Sequence, residues 1–154
     1  MGLRPITFCV DIFGDPPERD RSRLSLTALM YGLSLHNRLW LEYHKETPTL
    51  YDSDVIYCAE ENTENWQDIP TTLRRGYGDC EDLACWRIAE HWLRGVRAMP
   101  FVTWRPGREG NHTIYHALVR LPNGYIEDPS RSLGMNGHPM TRQPVYIGKA
   151  RLKR

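Results

Sequence analysis

The chain has 154 residues, 40% of them hydrophobic, which fits one compact domain with a sizeable core. Lys and Arg number 20 against 19 for Asp and Glu, so the charge balance selects no polyanion, and no specific nucleic-acid partner is expected. No stretch approaches the ~18 apolar residues of a membrane span, and "MGLRPITFCVDIFGD" breaks its apolar run at Asp11, so neither export nor membrane insertion is expected.

"PITFCVDIF" has the β-branched and aromatic content of a short strand, and "GDPPERD" ends it in a turn. From about Ser22 to Lys45 the residues Leu26, Leu29, Met30, Leu33, Leu39 and Tyr43 recur at three- and four-residue steps, the pattern of an amphipathic helix. "ETPTLYDSD" interrupts it. "NWQDIPTTLRRGYG" suits a short helix or an extended arm, with Pro70 limiting its regularity and Gly76 and Gly78 flanking a turn.

The next helix is strongly marked at its start. Asp79 is an N-cap, Asp82 stands three residues on in a capping-box place, and Cys80, Ala84, Ile88 and Trp92 form one stripe that ends before Gly95 and Pro100. The period then changes to two, and "FVTW", "TIYHALVRL", "GYIED" and "VYIGKARL" read as four strands. Helices followed by an antiparallel sheet predict an α+β class. Residues 1–60 form an N-terminal strand-and-helix elaboration of a single domain, and 61–154 carry its central helix and sheet.

Cys9, Cys58, Cys80 and Cys85 contain no CxxC pair, and the histidines fall at no zinc-binding spacing. Reduced thiols are therefore expected. Cys80 alone stands at a helix N-terminus, whose partial positive charge and free N–H groups stabilise a thiolate. The alternative is a small side chain that only packs. A nucleophilic thiol needs a base, and the base an orienting acceptor.

His116 and Asp128 meet that need if the hairpin between them has the right loop. A two-residue turn would put them on opposite faces of the sheet. A three-residue loop, Pro122-Asn123-Gly124, opposes 121 to 125 and 118 to 128 and puts both on one face, together with Leu118 and Ile126, which are expected to pack beneath the helix that carries Cys80. Pro, Asn and Gly suit its successive positions, the last as a left-handed glycine.

With these residues in view, "GYGDCEDLA" followed by "YHALVRLPNGYIEDPSR" resembles the core of the transglutaminase-like, papain-related superfamily, over roughly Trp66 to Arg131. The resemblance implies Cys80 as nucleophile, His116 as general base and acid, and Asp128 as orienter. "GDCED" is most similar to the bacterial transglutaminase-like cysteine proteinases, which cut protein substrates, and this likeness makes Asp79 and Glu81 calcium candidates. Acids in a first helical turn also simply complement the dipole. The backbone N–H of Cys80 is one candidate oxyanion donor, with Trp66 and Gln67 as candidates for a second.

The expected chemistry is acyl transfer on protein or peptide amides, to water as a peptidase or amidase, or to an amine as a transglutaminase. It requires no cofactor, and calcium enters only as a candidate ligand that the resemblance implies. The alternative from another class is a non-catalytic structural or binding protein of a viral or secretion assembly, and the expected location is cytoplasmic or virion-associated. His112 reads as a loop residue rather than a ligand, His91 and His138 suggest no partner, and Trp86, Trp92 and Trp104 read as core or cleft wall. Cys85, about 140° around the helix from Cys80 at ~100° per residue, should not pair with it.

Overall fold

The computed structural model describes residues 19–61, 64–108 and 112–150. The strand expected at residues 5–13, and Cys9 within it, lie outside these. Helix α1 runs Arg19–Tyr43, a 3-10 turn Leu50–Asp52, strand β1 Ile56–Tyr57, α2 Ile69–Arg75, β2 Tyr77–Gly78 and α3 Cys80–Leu93. Strands β3 Met99–Pro106, β4 Thr113–Arg120 and β5 Tyr125–Glu127 follow, then α4 Pro129–Ser132, a second 3-10 turn and β6 Tyr146–Lys149. Strands β3 to β6 form an antiparallel sheet in chain order, and β1 and β2 a separate parallel pair.

Helix α3 is the centre of the molecule: every residue from Glu81 to His91 is buried. One side carries Ala84, Cys85 and Ile88 against Met30 of α1, Val102 of β3 and Ala117 and Val119 of β4. Another carries Leu83, Trp86 and Ala89 against Leu41, Leu50, Tyr51, Val55, Ile69 and Leu133. A helix enclosed in this way carries apolar residues on both of these sides and loses the one-sided stripe of a surface helix, while its buried Arg87, Glu90 and His91 need partners of their own. The described residues thus form an α+β arrangement in which α1 and α3 cover one face of an antiparallel sheet.

Three expectations need correcting. Leu39 and Tyr43 do not join the core stripe of α1 but are exposed, because α3 and β3 cover only the side bearing Met30, Ser34, Asn37 and Leu41. The β4 residues packed on α3 are Ala117 and Val119; Leu118 and Ile126 are buried on the other parity and do not lie beneath α3. His91 has a partner after all, in a buried polar group beside Glu127.

That group is extensive. Glu127 accepts hydrogen bonds from Tyr51 Oη at 2.6 Å and Arg87 Nε at 2.7 Å, and its second oxygen lies 3.0 Å from His91 Nε2. Arg87 also pairs with Glu90, whose Oε1 accepts the backbone N–H of Leu50 at 2.6 Å. Burying these charges is tolerable because each finds partners. The group ties α3 to β5 one residue before Asp128.

Candidate functional site

The turn after β4 is the three-residue loop. Leu121 N–H donates to Tyr125 O at 2.8 Å, and Gly124 takes φ +87°, a conformation that side chains other than glycine resist. Val119 opposes Glu127 and Arg120 opposes Ile126, the register that carries 118 opposite 128. His116 and Asp128 accordingly meet: Nε2 and Oδ2 are 3.0 Å apart. Asp128 is 1% exposed and His116 about a quarter.

Asp128 does more than hold the ring. It ends β5 and becomes the N-cap of α4, with Pro129 at the first helical position. Its Oδ1 accepts the backbone N–H of Arg131 at 3.2 Å, and Arg131 Nε stands 3.6 Å from Oδ2 as a looser ion pair. The Asp-Pro sequence therefore fixes the carboxylate from the helix side while the ring holds it from the strand side. Since Nε2 faces the carboxylate, Nδ1 is the nitrogen left for other work.

Cys80 opens α3, behind a capping box between Asp79 and Asp82. Asp82 Oδ2 accepts the backbone N–H of Asp79 at 3.2 Å, and its Oδ1 accepts that of Gln67 at 2.6 Å. Glycine at 78 suits this tightness, since a Cβ there would stand 3.0 Å from the Asp82 Cβ and press on it. The Cys80 thiol is half-buried beside β4, where the backbone N–H of Ala117, the residue after His116, favours its thiolate.

Other neighbours oppose ionisation. Burial and the charges of Glu81 and Asp79 push the thiol well up from its ordinary range. The thiol donates to Glu81 Oε2 at 3.3 Å, and among the described residues no hydrogen bond joins Cys80 to His116. The three triad candidates are therefore a formed His116–Asp128 pair, on the sheet face of Leu118 and not the one of Ala117 and Val119 that packs on α3, and a cysteine beside the same strand whose thiol points to a carboxylate.

The acids around Cys80 are crowded. Carboxylate oxygens of Asp79, Glu81 and Asp82 lie within 4.8 Å of one another, and a second group joins Asp79 to Glu60 and Glu64. Burial raises Asp79 to about 6 and, with the charge of Asp79, raises Asp82 to about 9; Glu81 is pushed up by burial and by both neighbours. Asp79 Oδ1 and Glu81 Oε1 are buried without a hydrogen-bond partner.

Of the oxyanion candidates, Trp66 packs on the cluster that includes Cys80. Gln67 is buried, and neither atom of its side-chain amide has a partner. Tyr57, on β1, also borders the site. It is half-buried, and its hydroxyl is pushed up to about 12 by burial and by the negative charges of Cys80, Asp79, Glu81 and Asp128, so it stands at the site as a neutral phenol. A single tyrosine in "VIYC" carries no periodic or motif signal.

Cys85 is fully buried and donates weakly to Met30 O at 3.5 Å, the behaviour of a packing thiol. Cys58, Cys80 and Cys85 are all free. No helix among the described residues is long and apolar enough to cross a membrane. Compared with protein-family models, curated proteins and solved structures, the chain gives no match, so the functional reading rests on the residues themselves.

Proposed function

We propose that the protein is a cysteine-nucleophile acyl-transfer enzyme with a transglutaminase- or papain-like core, acting on protein or peptide amides with water as the principal acceptor. The observation that carries this reading is the His116–Asp128 pair at 3.0 Å on β4 and β5, with Cys80 at the N-terminus of α3 beside the same strand. In the reaction His116 takes the Cys80 proton, and the thiolate attacks the amide carbonyl. The imidazolium, steadied by Asp128, returns the proton to the leaving amine. Water, deprotonated by His116, then cleaves the thioester and restores the thiol. An amine in place of water makes the same chemistry a transglutaminase.

Calcium belongs to this proposal. Asp79, Glu81, Glu60 and Glu64 offer the hard oxygen ligands that calcium selects, and the two buried oxygens without donors fit a missing positive charge. A cation held there would neutralise the carboxylates that oppose the Cys80 thiolate.

A second reading, a binding or structural protein of a virion or secretion assembly that retains the fold without turnover, is favoured by the thiol's hydrogen bond to Glu81. Alkylation with iodoacetamide separates the two. An enzyme gives selective, pH-dependent modification at Cys80 that depends on His116 and accelerates with calcium, and it processes a peptide, amide or amine-acceptor substrate. Slow modification of Cys58 and Cys80 alike, unaffected by His116→Ala and accompanied by no turnover, establishes the scaffold.

A further inference from the structure

Helix α1 carries an apolar seam apart from the side it buries. Its inner side, with Met30, Ser34, Asn37 and Leu41, is buried. On its outer side Leu24, Tyr31, Leu35 and Leu39 are 64, 37, 53 and 48% exposed, and Ala28 and Gly32 are exposed among them. At ~100° per residue these outer positions share an arc of about 80–100° over four turns, a continuous seam of the kind that packs against another helix. Tyr31 is held in place by stacking on Trp92, centroids 6.2 Å apart and planes 17° from parallel.

The seam matches itself when reversed. With a two-fold axis between Tyr31 and Gly32, Leu24 meets the partner's Leu39, and Leu35 meets the partner's Ala28. Tyr31 meets the partner's Gly32, around which nothing lies within 4 Å of where a Cβ would be. Large residues thus oppose small ones at the centre, and leucines meet at the ends. Charge agrees as well: Arg21 falls opposite the partner's Glu42, which its own Arg38 already holds at 2.8 Å. A parallel arrangement would set Arg21 on Arg21 and Tyr31 on Tyr31.

We propose that the outer face of α1 is a homodimer interface, in which two copies pack these helices antiparallel about a two-fold axis between Tyr31 and Gly32. Such an isologous contact needs only one self-complementary patch, and apart from Tyr31, which borders Trp92 of α3, it lies on the side of α1 turned away from α3. It does not depend on the chemistry at Cys80.

Sedimentation of the full chain across a concentration series tests the proposal. A monomer–dimer equilibrium is expected, with Leu35→Lys weakening association by at least ~10-fold while the circular dichroism spectrum stays unchanged. Arg21→Glu and Glu42→Arg should each weaken the dimer, and the double exchange should restore it, which keeps the test valid if Leu35→Lys fails to fold. A monomer at every concentration overturns the proposal, as does a dimer indifferent to all these changes. So does a monomer in which Leu35→Cys resists labelling, because another segment, residues 1–18 first among them, then covers the face.

Discussion

His116 Nε2 and Asp128 Oδ2 stand 3.0 Å apart although their positions are diagonal across the β4–β5 hairpin, and the second Asp128 oxygen is engaged with the first turn of α4. One carboxylate therefore orients an imidazole and caps a helix, two jobs that substitution can separate. Asp128→Asn keeps a cap-competent oxygen but loses the charge that steadies an imidazolium. Cys80 alkylation and amide turnover should fall by orders of magnitude without vanishing, while thermal stability changes little. Asp128→Ala should lose the cap too, at about 1 kcal/mol in urea unfolding. Equal activity in wild type and Asp128→Asn would remove Asp128 from the chemistry.

Glu127 gives a pH prediction of definite sign. Burial alone would raise its carboxyl, but hydrogen bonds from His91 and Arg87 and the Arg87 charge hold it down at about 2. The unfolded chain, with an ordinary pKa near 4.5, binds this proton more tightly than the folded chain. Stability from Glu127 is thus complete above about pH 4.5 and is lost as pH falls toward 2. Urea unfolding across that range should show the slope in wild type and not in Glu127→Gln. At pH 7 that variant should be less stable by about 3 kcal/mol, since it leaves the buried Arg87 short of a partner.

What could be read from the residues was whatever local rules govern. Asp79 and Asp82 mark the start of α3 through capping, and Pro122-Asn123-Gly124 sets a loop whose length dictates the parity of the hairpin, so the His116–Asp128 meeting was legible. The outer seam of α1 was not, because Leu39 and Tyr43 share the three- and four-residue spacing of the buried stripe, and only the neighbours decide which side is covered. The Glu127 group joins Tyr51 of the first 3-10 turn and Arg87 and His91 of α3 to β5, and no spacing links those three elements. The rotamer of Cys80 toward Glu81 depends on charges crowded into one turn, which a motif does not weigh.

The acid cluster predicts a response to calcium. Melting of wild type in excess calcium should exceed that in chelator, by the equivalent of about 2.7 kcal/mol when the ion is a hundredfold above its Kd. Asp79→Asn, Glu81→Gln should melt at one temperature in both. In chelator at pH 8 it should be at least as stable as wild type, because buried like charges have been removed. A wild-type melting curve indifferent to calcium would remove the ion from the site.

The last prediction concerns Cys80 itself, where a nucleophile and a packing thiol respond differently to small changes. Cys80→Ser keeps nearly the same volume at a half-buried position, so folding stability should move by less than ~1.5 kcal/mol, while turnover should fall to background because the hydroxyl ionises far less readily than the thiol. Glu81→Gln tests the opposing side. It removes the largest charge holding the thiol up yet keeps an oxygen where the thiol now donates. In chelator the pH midpoint of Cys80 alkylation should therefore move down and the rate at pH 7 rise, with the Cys58 rate as internal reference. Should Glu81→Gln leave the midpoint where it is, and Cys80→Ser retain full turnover, Cys80 would be a packing residue, and the His116–Asp128 pair would serve only to hold β4, β5 and α4 together.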